Sequence, residues 1–154
     1  MLPEAGTALA AYAALFASAF TSATLLPGSS EAMLLALLAG GHGAPPVLVA
    51  VASAGNVLGS LVNWALGRLL SDMRGHRWFP IDERTYRRAA SWYQRHGAWS
   101  LLLSWLPVVG DPLTVVAGAL RVGLLRFLVL VTLGKGARYV FIAGAYLWWR
   151  TPPA

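Results

Sequence analysis

The sequence predicts an all-α membrane protein built as a single domain of 154 residues. Three observations carry this reading. The chain is 57% hydrophobic and only 12% charged, where a soluble domain has about 25% charged residues. No charge occurs over the 20 residues from Thr7 to Leu26 or over the 36 from Ala32 to Gly67, and about 20 apolar residues suffice for a bilayer-spanning helix. Finally, the apolar runs are broken by proline at matching places in the two halves. The expected architecture is an inverted repeat of two re-entrant helical hairpins. Each hairpin is followed by a long transmembrane helix, and a cytoplasmic amphipathic helix lies between the halves. Repeat one covers about 7–70, a basic interfacial linker about 71–97, and repeat two about 98–150.

The first segment, about Thr7 to Leu26, is a helix of Ala, Leu and Phe. It stops at Pro27 and Gly28, and Ser29 and Ser30 are residues that cap a new helix. That helix, about Ser30 to Ala39, is too short to span and ends at Gly40-Gly41-His42-Gly43. A long helix, a break and a half-helix predict a re-entrant hairpin, since broken helices sit at membrane depth only where protein or a cavity covers them. Segment two, about Val47 to Leu70, is long enough to span. Its Gly55 and Gly59 form the G-x-x-x-G spacing of close helix packing. Asn56 beside them reads either as interhelical glue or as part of a site.

From Arg68 to Arg95 the chain holds seven arginines, which places this stretch in the cytoplasm. Asp82 is the expected N-cap and Gly97 the expected stop of a helix between them. Tyr86, Ala89, Ala90 and Tyr93 share one face of that helix. Arg84, Arg87, Arg88 and Arg95 supply an anionic-lipid-binding surface, and Trp78, Phe79, Trp92 and Trp99 an aromatic belt. Segment three, about Ala98 to Leu106, is a short apolar helix. It breaks at Pro107, and a turn through Gly110 leads to Asp111 and Pro112, read as the N-cap and N1 of a second half-helix to about Leu120. Segment four, about Leu124 to Trp149, spans again and ends in Trp148-Trp149-Arg150.

The two breaks share the pattern Leu-Pro-x-x-x-acid, at Leu26 to Glu31 and Leu106 to Asp111, 80 residues apart. Discontinuous helices in inverted repeats are a transporter signature, with the site near the bilayer midplane. Four charges stand where charges are expensive: Glu31, Asp111, Lys135 and Arg138. Lys135 and Arg138, at i and i+3, share a helix face, and the two carboxylates are their natural partners. Half-helix N-termini favour anions, and arginine suits a phosphate. A carboxylate held away from water exchanges protons nearer neutrality than one in water, so Glu31 and Asp111 are the expected groups for proton coupling. Both also have a purely structural reading, as helix caps or permanent ion-pair partners.

Other chemistries find little footing. The chain has no cysteine, which excludes disulfides, thiol catalysis and Cys-based metal sites. His42, His76 and His96 lack metal-ligand spacing, and Gly28-Ser29-Ser30 lacks the flanks of a nucleophile loop. No cofactor, metal or enzymatic activity is expected. The net charge of +6 sits beside apolar spans and is explained by membrane orientation and anionic lipid rather than nucleic acid. The first Arg or Lys is Arg68, so a basic signal-peptide n-region is missing and the first segment is expected to stay in the mature chain.

Four stretches carry a resemblance: Phe20 to Glu31, Gly55 to Arg68, Leu101 to Gly118 and Gly134 to Tyr139. On them the sequence resembles the DedA (VTT-domain) family of inner-membrane proteins, most closely its YqaA-type branch. The resemblance implies paired re-entrant hairpins with spanning helices. It also implies movement of lipids or lipid-linked carriers between leaflets, proton-dependent in some members. Glu31 matches the family's acid after the first re-entrant turn, and Asp111 lies in the second. Other branches carry an R-F-x-P-x-x-R pattern around the second proline. Here its two arginine positions read Ser104 and Gly110, and Lys135 and Arg138 are expected to supply the positive charge.

The expected function is a membrane transporter of scramblase or flippase type, moving lipid or lipid-linked phosphate. Anionic phospholipid and polyprenyl phosphate are the expected partners, and a homodimer packed through small-residue faces is a further expectation. The expected location is the bacterial inner membrane. Two alternatives stay open: a proton-coupled exporter of cationic compounds, and an accessory protein for envelope or membrane-protein assembly.

Overall fold

The structure, a computed structural model, describes residues 5–23, 29–73, 81–106 and 109–150. Six α-helices run in order: α1 (Ala5–Ser22), α2 (Ser29–Gly40), α3 (Pro45–Leu69), α4 (Glu83–His96), α5 (Gly110–Ala119) and α6 (Leu124–Arg150). A 3-10 segment, Gly97–Trp105, joins α4 to the stretch before α5. Among the described residues there is no strand. Among the described residues two helices, α3 and α6, at 25 and 27 residues, are long and apolar enough to cross a membrane. At 1.5 Å per residue each exceeds the roughly 30 Å of hydrocarbon.

Local chemistry sets the helix ends. Gly41 (φ 67°) and Gly43 (φ 132°) turn the chain between α2 and α3, in backbone conformations that glycine adopts without a Cβ penalty. Pro45 and Pro46 then open α3, where a missing N–H costs nothing. Asp82 caps α4 as predicted. Its carboxylate accepts from the Thr85 amide at 2.9 Å and the Thr85 hydroxyl at 2.7 Å, and these bonds hold its pKa below the usual Asp value. Gly97, at φ 61°, ends the helix. Tyr86 and Ala89 are buried, with Ala90 and Tyr93 packed beside them, the face foreseen from the sequence.

The core has two parts. Leu15, Leu34, Leu48, Ala52 and Tyr139 gather α1, α2, α3 and α6. Tyr86, Leu101, Leu113, Val116 and Phe127 gather α4, the 3-10 segment, α5 and α6. Backbones approach closely at the glycines of α3. A Cβ on Gly55 would lie 2.5 Å from the Phe16 carbonyl oxygen, and one on Gly59 2.6 Å from that of Phe20. The G-x-x-x-G pair therefore packs α3 on α1. Farther along, Gly67 meets the backbone of α5 at Val115, and Gly118 of α5 meets α3 at Trp64.

One local expectation is refined and another corrected. Segment three, expected as a short apolar helix, is of the 3-10 type. The Ser100 hydroxyl donates to the Gly97 carbonyl three residues back, and the Leu106 amide to the Leu103 carbonyl. Its backbone is wedged against two glycines, since a Cβ on Gly134 would lie 2.8 Å from the Leu102 oxygen and one on Gly110 2.1 Å from the Ser104 oxygen. Asp111 is not an N-cap. The helix begins at Gly110 behind Val109, and the Asp111 carboxylate is engaged by a lysine of α6, a charge-assisted bond stronger than one to a neutral amide.

Candidate functional site

The four charges foreseen in the apolar segments meet as two ion pairs on α6. Lys135 and Arg138 project from neighbouring positions of that helix, as the i, i+3 spacing requires. Arg138 Nη2 bonds Glu31 Oε1, and Lys135 Nζ donates to Asp111 Oδ1 at 2.7 Å. Each acid stands in the first turn of its short helix, Glu31 in α2 and Asp111 in α5. There the helix dipole favours negative charge.

The surroundings of the pairs differ. Lys135 is buried, at 4% exposure, and donates a second bond of 2.5 Å to Asn56 Oδ1 on α3. Asn56 Nδ2 in turn donates to the Tyr139 hydroxyl at 2.8 Å. The Tyr139 and Ser30 hydroxyls lie 2.8 Å apart, and Ser30 reaches Ser22 at 3.3 Å. A continuous polar chain thus runs from Asp111 on α5 to Ser22 on α1, crossing α6, α3 and α2. Asn63 ties α3 to the Ala23 carbonyl at 2.9 Å and to the Thr114 hydroxyl of α5 at 3.3 Å. Every link is charge-assisted or joins buried polar atoms, which must be paired to be tolerated.

Arg138 faces a different space. Its Nη1 donates to the Trp105 carbonyl at 2.8 Å. With Glu31 it lines a cavity of about 630 Å³, otherwise walled by apolar groups including Leu102, Trp105, Leu133, Phe141 and Ile142. Asp111 and Lys135 are not among its lining residues. The cavity thus pairs one guanidinium–carboxylate couple with an aliphatic and aromatic wall. Chemically it suits an amphiphile with a polar head.

Ser104 and Gly110, the two positions that the R-F-x-P-x-x-R pattern gives to arginine, pack on each other. Gly110 packs on the backbone of Ser104, leaving no room for a side chain. Ser104 is buried, and its Oγ has no hydrogen-bond partner among the described residues. The guanidinium bordering the cavity is that of Arg138.

The other sequence-predicted residues fall as follows. Pro27, Gly28, Pro107, Trp78 and Phe79 lie outside the described residues. Ser29 and Ser30 open α2, while Gly110 and Pro112 fall in the first turn of α5. From the start of α2, the Ser30 hydroxyl bonds Ser22 and Tyr139. Arg84, Arg87, Arg88 and Arg95 are exposed on α4, and Arg87 sits 3.6 Å from Glu83. Among the described residues no three His, Asp or Glu side chains gather as a metal site. Sequence reasoning missed Tyr139 as a member of the network. Its only signal was its place one turn beyond Lys135, which puts both on one helix face.

The VTT domain profile matches residues 26–146 of the chain. The chain is 45% identical over 139 residues to the inner membrane protein YqaA of Escherichia coli K12, covering 88% of this chain and 93% of that one. It is 40% identical over 142 residues to an uncharacterized protein of Haemophilus influenzae, covering 82% and 81%. Similarity extends at 25% identity over 95 residues to undecaprenyl phosphate transporter A of Staphylococcus aureus, covering 56% of this chain and 47% of that one. No solved structure matches. By profile and identity alike, the chain belongs to the VTT-domain, or DedA, family of membrane proteins.

Proposed function

We propose that this protein moves a lipid-linked phosphate between the leaflets of the inner membrane, with Arg138 and Glu31 as its headgroup site. The observation that carries the reading is the cavity that brings these two charges together against an apolar wall. A phosphate would engage the Arg138 fork while the hydrocarbon stays against Leu133, Phe141 and Ile142. Glu31 competes for the same guanidinium, so protonation of Glu31 frees Arg138 for the lipid, and the cycle couples to protons. The Asp111–Lys135–Asn56 network, set behind the cavity, holds α3, α5 and α6 in register. In this reading the whole chain is one membrane domain. α1 with α2, and the 3-10 segment with α5, are re-entrant hairpins of two inverted repeats, and the arginine-rich stretch around α4 is cytoplasmic. The similarity to a protein named for undecaprenyl phosphate transport supports the substrate class.

Translocation in proteoliposomes tests the proposal. A polyprenyl phosphate or anionic phospholipid should cross faster with the protein than without it, and the matching polyprenyl alcohol should not. Equal movement of phosphate and alcohol would remove the headgroup role of Arg138.

A further inference from the structure

A second cavity, of about 600 Å³, lies away from the ion pairs, where the start of the 3-10 segment meets the first turns of α6. It is lined by Ala98, Trp99, Leu125, Arg126, Val129 and Leu130. Trp99 is 70% exposed and Leu125 78%. Arg126 is exposed, and among the described residues no carboxylate lines the cavity and Arg126 forms no ion pair. Two more exposed arginines stand close in the chain: Arg121 just before α6, and Arg95 in the last turn of α4, which ends three residues before Trp99.

These residues form an ordered sequence along one helix. Arg126 is in the first turn of α6 beside Leu125, from which Val129 and Leu133 follow at four-residue intervals; the three are 78%, 49% and 59% exposed. That spacing makes one apolar ridge, about 12 Å long at 1.5 Å per residue. A cation and an indole at one end of an exposed aliphatic ridge match a phospholipid in polarity, order and length. The indole suits the headgroup level, the guanidinium the phosphate, and the ridge the first half of an acyl chain.

We propose that this cavity is a binding site for an anionic phospholipid, with its phosphate on Arg126, its headgroup region against Trp99 and one acyl chain along Leu125 and Val129. The site rests on the membrane location of the chain and not on the transport reading. It requires no movement of the bound lipid.

Native mass spectrometry of the purified full chain, exchanged against mixed phosphatidylglycerol and phosphatidylcholine, tests it. Arg126→Gln should lower the preference for phosphatidylglycerol about fivefold, the factor associated with one basic residue at an anionic surface. Arg126→Lys should lose less. Arg150→Gln, at the far end of α6, is the charge-matched control and should change nothing. A diazirine-bearing phosphatidylglycerol should label the stretch around Trp99 and Leu125 in wild type and lose that label in Arg126→Gln. Equal loss in the Arg126 and Arg150 variants would overturn the site as mere net-charge attraction. So would an unchanged label, or displacement of the lipid by millimolar inorganic phosphate. Translocation is read separately, so failure of the flux assay leaves this result standing.

Discussion

The crossing of α3 and α5 makes a quantitative prediction about stability. Gly67 and Gly118 occupy the same contact from opposite sides. A Cβ on Gly67 would lie 2.0 Å from the Val115 carbonyl oxygen, and one on Gly118 1.9 Å from that of Trp64. Ordinary contact begins at 3.4 Å, so each alanine must drive the helices apart by 1.4 to 1.5 Å. The obstacle in both cases is backbone and cannot rotate away. Separation on that scale also breaks the 3.3 Å bond from Asn63 to Thr114 and loosens the Trp64 bond to the Val122 carbonyl. Each alanine should therefore cost about 3 kcal/mol, the upper part of the overpacking range. One separation accommodates both methyl groups, so the double variant should cost much less than the sum, with a coupling of about 2 kcal/mol. Gly144→Ala is the control. Nothing lies within 4 Å of its Cβ, and replacing a helical glycine by alanine should stabilise by about 0.5–1 kcal/mol. Reversible unfolding in mild detergent, followed by far-ultraviolet circular dichroism, measures all four. Strict additivity, or alanines at 67 and 118 as benign as at 144, would refute the crossing geometry.

Three further outcomes follow from the polar chain and the helix cap. Lys135→Met strands the Asp111 carboxylate beside Asn56 and should destabilise by about 3 kcal/mol. Adding Asp111→Leu should restore most of the loss, and a failure of the second change to help would mean that the pair is not the stabilising unit. Tyr139→Phe removes the hydroxyl between Ser30 and Asn56 and should cost about 1–3 kcal/mol, measured by the same unfolding. At the surface, the Asp82 carboxylate has its pKa lowered by the Thr85 bonds, so its support of α4 is present above the ordinary Asp value and fades as pH falls through its lowered one. Amides of the first turn of α4 should keep their protection from hydrogen exchange, corrected for intrinsic rate, down to the ordinary Asp range and lose it only as the pH falls below that range. Asp82→Ala should remove that dependence, and a dependence that survived it would assign the effect to another group.

The features legible in the sequence are those set by local chemistry. Asp82 and Gly97 bound α4 because a cap and a positive-φ glycine act within one turn, and Pro45-Pro46 mark the start of α3 for the same reason. The long apolar stretches disclose α3 and α6 because hydrocarbon length is a one-dimensional constraint. That Glu31 and Asp111 would find Lys135 and Arg138 was legible too, since four charges in apolar surroundings must pair. Which acid takes which base was not, because it depends on where α2 and α5 dock on α6. The bond from Asn56 to Tyr139 joins residues 83 apart, and no spacing rule reaches that far. Asp111 was read as a cap because Asp-Pro favours that local role, while in the fold Lys135 competes for the same carboxylate and wins. The 3-10 form of Gly97–Trp105 was hidden for a similar reason. Its apolar composition suits either helix, and the close approach of Gly110 and Gly134 accompanies the tighter one.

The central claim is that the Arg138 guanidinium, released from Glu31, binds a lipid phosphate in the 630 Å³ cavity. The most direct measurement is polyprenyl phosphate flux in proteoliposomes at several pH values, comparing wild type with Arg138→Gln, Arg138→Lys and Glu31→Gln, each first shown to be folded. Arg138→Gln should abolish flux and Arg138→Lys should retain part of it, while Glu31→Gln should transport without dependence on pH. Full flux by folded Arg138→Gln would contradict the account.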